Sequence, residues 1–351
     1  SVIMQKPQPP LTQQPRKAQE PLPEAREVVA GIWKITVPIP FPLRTVNVFA
    51  LVGKDGWAMV DTSMGTPDTR EALWQGLERA GLSLDNLRTI VLTHHHPDHV
   101  GLSGELQERS GANVFMHPID EVAIRVIWAG QMPERFGRVS DFFGQHGMPP
   151  TDFWFTQVEP GVMRNLIRVP PHEAFTLVND GEVITVADEQ YRVIWTPGHS
   201  DGQICLLRER DGVFLAADHV LPRITPNIGL YSENDRPNPL GDYLASLAKV
   251  ADLPASIVLP GHGEPFADLA GRTAEITRHH YEREMQILAL LDEEPQHAYR
   301  VAEQLFSHRW SNSEARRMAV AETLSHLEHL RFSGQVEQHR TSDGMLLYSV
   351  V

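Results

Sequence analysis

His94, His96, Asp98 and His99 place four side chains able to bind a metal within six residues, in the stretch Thr93-His94-His95-His96-Pro97-Asp98-His99. The segment just before it, Leu87 to Leu92, is rich in β-branched and aliphatic residues and reads as a short buried strand. Pro97 suits the first position of a helix, which puts Asp98 and His99 in that helix's first turn. Two ligands therefore leave a strand end while two open a helix, and the pairs can be aimed at two neighbouring points. Neutral imidazoles and a carboxylate are donors that zinc, manganese or ferrous iron accept in a site with an open position.

A chain with 17 histidines could carry such a run as a surface loop by chance. Three later residues count against that. His199 follows the strand-like run Tyr191 to Trp195, Asp218 closes the run Val213 to Ala217, and His262 follows Val258-Leu259-Pro260-Gly261. Each potential ligand comes directly after a β-type segment, and two of the three, His199 and His262, sit beside Gly or Pro turn chemistry. Groups at strand ends are held by a rigid scaffold, where catalytic side chains usually sit.

These motifs, in this order, resemble the metallo-β-lactamase-fold hydrolases: His-x-His-x-Asp-His at 94–99, Gly-His at 198–199, Asp218, and Gly-His at 261–262. Asp61, in Val60-Asp61-Thr62-Ser63-Met64-Gly65, matches the family's first motif, with Ser-Met inserted before the glycine. The resemblance spans about residues 28 to 284 and implies an αββα sandwich of the α/β class. It further implies that His94, His96 and His199 bind one metal, that Asp98, His99 and His262 bind a second, and that Asp218 bridges them. Asp61 would orient ligands through hydrogen bonds. Two divalent ions are implied, with zinc as the default and iron or manganese also suited to the donors.

Composition fits a packed protein. Apolar residues make up 41% of 351, and no run of about twenty apolar residues suggests a membrane span. The single cysteine, Cys205, excludes an internal disulfide and sits in an apolar run, where it reads as a small buried hydrophobe. With no basic-then-apolar leader pattern, a cytoplasmic location is expected. Residues 1–27 read as a Pro- and Gln-rich arm, 28–284 as the catalytic domain, and 285–351 as a separate module. In that module, helices at 299–306 and from the Ser311-Asn312-Ser313-Glu314 capping signature to about Arg331 precede a hairpin turning at Asp343-Gly344. This pattern reads as a winged helix and resembles the β-lactamase-like protein 2 subgroup.

Winged helices often bind nucleic acid, but from Met285 onward there are six Arg and no Lys against nine Asp plus Glu, and the chain is −14 overall. Phosphate backbones are bound by clustered positive charge, so nucleic acid is not the expected partner. A packing role or homo-oligomer contact, through this module or the arm, is expected instead. Between about Ile119 and Val158 a stripe of large apolar residues includes Trp128, Phe142, Phe143, Met148, Phe153, Trp154 and Phe155. In a fold of the resembled kind it would roof the cleft and shape an acyl pocket.

The implied chemistry is hydrolysis by a water activated between two ions. Asp98, Asp218 and His219 are the candidate catalytic residues, with His219 a proton donor to a leaving group. Arg223 would pair with an anionic part of the substrate, and Tyr231 would line the pocket. The expected substrate is a small acyl compound, foremost a thioester of the acyl-CoA type, because a thiol of pKa about 8.5 leaves without a strong acid. A phosphodiesterase or endoribonuclease, a lactone or β-lactam hydrolase, and a metal-binding effector are the alternatives.

Overall fold

The structure, a computed structural model, describes residues 24–129, 132–152, 162, 165–232 and 236–351. Most of the expected arm, and Phe153, Trp154 and Phe155 of the apolar stripe, lie outside the described residues. The expected arm ends early: β1 (Glu24–Val29) pairs antiparallel with β2 (Ile32–Pro38). Its polar EAREVV sequence lacks the alternation that would reveal an edge strand.

The described residues hold fourteen strands in three sheets. After β1 and β2, the first sheet continues in chain order with β3 (Thr45–Val52), β4 (Trp57–Val60), β5 (Leu87–Val91), β6 (Asn113–Met116) and β7 (Phe175–Leu177). The second contains β8 (Val183–Val186), β9 (Glu189–Trp195), β10 (Ile204–Arg208), β11 (Val213–Ala217) and β12 (Ile257–Pro260), in the order β12-β11-β10-β9-β8. A hairpin of β13 (Val336–Arg340) and β14 (Leu346–Val350) forms the third. The helices are α1 (Pro67–Arg79), α2 (Pro97–Val100), α3 (Ser103–Ser110), α4 (Pro118–Ile124), α5 (Met132–Gln145), α6 (Pro239–Ala251), α7 (Leu269–Glu293), α8 (Ala298–Leu305) and α9 (Ser313–Phe332).

Alternation along the strands builds four layers. Val46, Val48 and Ala50 of β3 pack towards α1 and α3, while Phe49 and Leu51 point to the space between the sheets. In β11, Val213 and Leu215 face that same space, while Phe214 and Ala216 face α6 and α7. Strands covered on both faces read as unbroken apolar runs, as β10 and β11 do. Cys205 lies in this core, where burial pushes its thiol up to about 12.

The C-terminal elements form a further core. Leu324, Leu327 and Leu330, which recur at helical spacing on α9, are buried within the chain against α7, α8 and α5. Asn312, rather than Ser311, caps α9, accepting from Ala315 N at 2.8 Å. Phe143 and Met148 from the apolar stripe are buried here too, so these members serve packing onto the tail and not a pocket wall. His280 is wholly buried, with its ring edge against Tyr243 at 5.6 Å. Its helix is polar in sequence, but α6 and α9 cover this side.

Candidate metal centre

Every sheet end expected to carry a ligand meets at one edge of the sandwich. His94 and His96 follow β5, and Asp98 and His99 lie in α2, whose N-cap is His96 and whose first residue is Pro97. His199 follows β9, Asp218 follows β11 and His262 follows β12.

Ring nitrogens of His94, His96 and His199 gather within 4.8 Å of one another, and so do the ligand atoms of Asp98, His99 and His262. Asp218 lies between these groups. Its Oδ2 is 3.4 Å from His199 Nε2 and 3.9 Å from His94 Nε2 on one side. On the other it is 3.3 Å from His99 Nε2 and 3.2 Å from His262 Nε2. Room for this carboxylate depends on Gly261, where a Cβ would come within 2.1 Å of Asp218 Oδ1.

The outer nitrogens are held by oxygens. His99 Nδ1 meets Asp61 Oδ2 at 2.8 Å, His199 Nδ1 meets Asn227 O at 2.7 Å, and His262 Nδ1 meets Thr45 O at 2.6 Å. His94 Nδ1 meets Thr93 Oγ1 at 2.9 Å, and that hydroxyl donates to Asp61 Oδ2 at 2.7 Å. Holding Nδ1–H this way leaves the Nε2 lone pair of these four rings directed inward. His96 instead turns Nδ1 towards His199 Nε2 at 2.9 Å. The buried Nε2 atoms of His94, His99 and His262 and Oδ1 of Asp218 have no hydrogen-bond partner among the described residues. Such orphaned, converging donors fit a bound cation.

Charge points the same way. Burial, then the surrounding imidazoles, holds His94 and His96 well below the usual histidine range, so both are neutral. Burial opposes charge on His99 and His262, yet the Asp218 and Asp98 carboxylates hold His99 well above its ordinary value and His262 up to about 10. Burial would raise Asp218, but His262 and His99 hold it well below the ordinary carboxylate value. The carboxylates thus demand positive charge beside them, which metal ions supply in place of those protons.

Asp61 can be grouped with His94 and His99 by distance alone. Its two oxygens already accept from Thr93 N at 2.8 Å, from Thr93 Oγ1 and from His99 Nδ1, so it reads as a holder of ligands. Asp61 and Ser63 adopt φ of 60° and 65°, backbone strain of the kind concentrated at functional sites.

The auxiliary residues stand apart. His219 is fully buried, lies edge-on to Tyr243 at 5.3 Å, and burial lowers it to about 3. With its ring set against Tyr243 in the helix layer, His219 is turned from the ligand cluster, and this geometry gives no support to the proton-donor role expected for it. Arg223 is exposed, and no hydrogen bond or ion pair engages it among the described residues. The Tyr231 hydroxyl is committed to Asn227 Oδ1 at 2.9 Å, and Arg317 covers its ring at 5.1 Å.

Three supporting residues escaped the sequence reading. Asp120, wholly buried in the first turn of α4, accepts from His95 N at 2.8 Å, Ser200 Oγ at 2.8 Å and Gly202 N at 2.7 Å. It therefore ties the first histidine loop to the His199 loop. Asn47 Nδ2 donates to Pro260 O at 3.0 Å and Gly263 O at 2.8 Å, clasping the His262 loop. The signal for it was a lone amide inside the apolar strand TVNVFALV. Tyr243 donates to His219 O at 2.7 Å and packs on Gly198, where a Cβ would lie 2.5 Å from the tyrosine Cβ.

Comparison with known proteins agrees with this architecture. The family model of the Metallo-beta-lactamase superfamily matches residues 42–262, and that of the Metallo-beta-lactamase-like, C-terminal domain matches residues 285–351. A metallo-beta-lactamase family protein from Thermus thermophilus has a solved structure that superposes with a TM-score of 0.82 at 38% identity. That match covers 93% of this chain and 100% of the other. The protein described as "Probable metallo-hydrolase YqjP" of Bacillus subtilis is 28% identical over 304 residues, 84% of this chain and 91% of its own length. The "Beta-lactamase-like protein 2 homolog" of Caenorhabditis elegans is 24% identical over 257 residues, 73% of this chain and 68% of the relative. The chain belongs to the metallo-beta-lactamase superfamily, as a metallo-hydrolase that carries the superfamily's C-terminal domain.

Proposed function

We propose that this metallo-hydrolase works with two divalent ions, zinc by default, and cleaves a small acyl substrate, foremost a thioester. The observation that carries the dinuclear reading is Asp218 Oδ2, which lies 3.2 to 3.9 Å from four imidazole nitrogens drawn from both ligand groups. His94, His96 and His199 would hold one ion and Asp98, His99 and His262 the other, with Asp218 shared. Bound there, the ions supply Lewis acidity that activates water and polarises a carbonyl. The chain's own part is orientation: Asp61, Thr45 O and Asn227 O fix the rings of His99, His262 and His199.

The thioester preference is supported by what surrounds the cleft. His219 is neutral and buried, so the substrate should carry a leaving group that departs without help, as a thiolate does. Arg223, exposed five residues after Asp218, would pair with an anionic portion of such a substrate. The nuclease alternative loses ground because α9, the recognition helix of the proposed winged-helix tail, is buried along most of its length. Its arginines are also engaged within the chain: Arg316 with Asp152 at 2.9 Å, Arg317 with Glu314 and Arg331 with Glu328, each at 2.7 Å.

The test is a screen of metal-loaded protein against acyl-CoA thioesters, lactones, β-lactams and single-stranded RNA. Thioesters should give the highest kcat/KM. Metal-dependent RNA cleavage without thioester turnover would overturn the substrate reading while leaving the metal centre intact.

A further inference from the structure

His199 is held by a segment of the catalytic domain that is itself tied to the C-terminal helix. The carbonyl that fixes its Nδ1 belongs to Asn227, in a segment that runs along the C-terminal helix α9. This segment is tied to α9 twice. Leu230 N donates to Ala321 O at 2.9 Å, and the Ser325 hydroxyl reaches Ile228 O at 2.5 Å, with Glu322 O also near it at 2.7 Å. Ile228 and Ser325 are both wholly buried, so water does not compete for the contact. The Ile228 carbonyl belongs to the peptide directly after the one that holds His199. Tyr231 then closes the segment on itself through Asn227 Oδ1.

A second path reaches the same loop from the residue after Ser325. His326 Nε2 lies 3.1 Å from His280 Nδ1, the His280 ring stands against Tyr243, and Tyr243 packs on Gly198 beside His199. The other half of the centre is held within the sandwich: His99 by Asp61 and His262 by the Thr45 carbonyl.

We propose that α9 is a positioning element for one half of the centre alone: through Ser325 it sets the His199 ring, and with it the affinity of the His94–His96–His199 corner for metal. The Asp98–His99–His262 corner is independent of it. The inference rests on the dinuclear reading above. It gives the C-terminal domain a task at the active site that needs neither nucleic acid nor a second copy of the chain. Partners that orient a ligating histidine are typically worth tenfold to a hundredfold in metal affinity, and Ser325 acts one peptide further out, so an effect of about tenfold is expected.

The experiment isolates each corner. In an Asp98→Ala background one zinc should remain at the His94–His96–His199 corner, and in a His96→Ala background one should remain at the other. Zinc affinity is then measured by competition with a chromophoric chelator. Adding Ser325→Ala should weaken zinc about tenfold in the first background and leave the second unchanged. Thr323→Val is the control, because it removes a buried hydroxyl of α9 that has no partner among the described residues. It should change neither affinity. Equal weakening in both backgrounds, no weakening in either, or the same effect from Thr323→Val would overturn the proposal. If the wild-type chain binds no more than one zinc, the dinuclear reading itself fails and the proposal falls with it.

Discussion

Replacing Asp61 with Asn would separate the ligand-holding hydrogen bonds from everything else Asp61 does. The carboxylate is 3% exposed and accepts three bonds, from Thr93 N, Thr93 Oγ1 and His99 Nδ1, at 2.7 to 2.8 Å. Its backbone has φ of 60°, a conformation asparagine tolerates well, so the main chain is not the variable. The amide offers one acceptor oxygen in place of two, and either orientation costs something. With NH₂ towards Thr93 N, two buried donors face each other, at about 1 to 3 kcal/mol. With NH₂ towards His99 Nδ1, that nitrogen must accept, and the ring proton moves to Nε2, the atom facing Asp98 and Asp218. The lone pair needed for a metal is then lost. Partners of ligating histidines are worth tenfold to a hundredfold, about 1.4 to 2.8 kcal/mol, so both orientations land on the same scale. Asp61→Asn should therefore weaken metal at the Asp98–His99–His262 corner by about tenfold to a hundredfold, measured by chelator competition. Thermal melts in excess chelator would report the cost to the fold alone. Wild-type affinity for both ions in the variant would refute the role given to Asp61.

Three further outcomes follow from the geometry. Asp120→Ala leaves the donors of His95, Ser200 and Gly202 unpaired in the interior and should cost about 3 kcal/mol or more in chemical denaturation. Burial would raise Asp120, but His95 and the hydrogen bonds hold its carboxyl low; its contribution is therefore present above about pH 4 and lost as the pH falls through the folded value. Gly261→Ala drives a Cβ into Asp218 Oδ1 and should lower the content of both ions, read by elemental analysis of protein purified in trace metal. Glu284, raised to about 7 by burial, keeps in the folded state a proton that the unfolded chain loses near pH 4.3. Its contribution is full below that value and lost as pH rises through about 7, so Glu284→Gln should melt higher than wild type at pH 8, with the gap closing in acid.

How far the sequence could be read depended on the range of the interactions involved. The ligand motifs were legible because each sits directly after a strand, and strand-end geometry is local. Neighbouring positions also explain a failure. Asp218 and His219 are adjacent, so their side chains leave the end of β11 on opposite sides, one to the cleft and one to Tyr243. The sequence marks Phe143 and Met148 as members of an apolar stripe, but not that they pack on the C-terminal domain, more than a hundred positions away. The burial of His280 is hidden in the sequence for the same reason, since its neighbours along the helix are polar and its cover comes from α6 and α9. Asp120 gave only the weak signal of an acid in a helix's first turn, and its purpose depends on a loop eighty residues later.

The most direct test of the account is the metal content of the purified chain set beside that of Asp98→Ala. Asp98 belongs to one corner, while His94, His96 and His199 form the other without it. Elemental analysis should find about two divalent ions per wild-type chain and about one in the variant, in keeping with a two-metal hydrolytic site. A single ion in the wild type, or two retained after Asp98→Ala, would contradict the dinuclear centre.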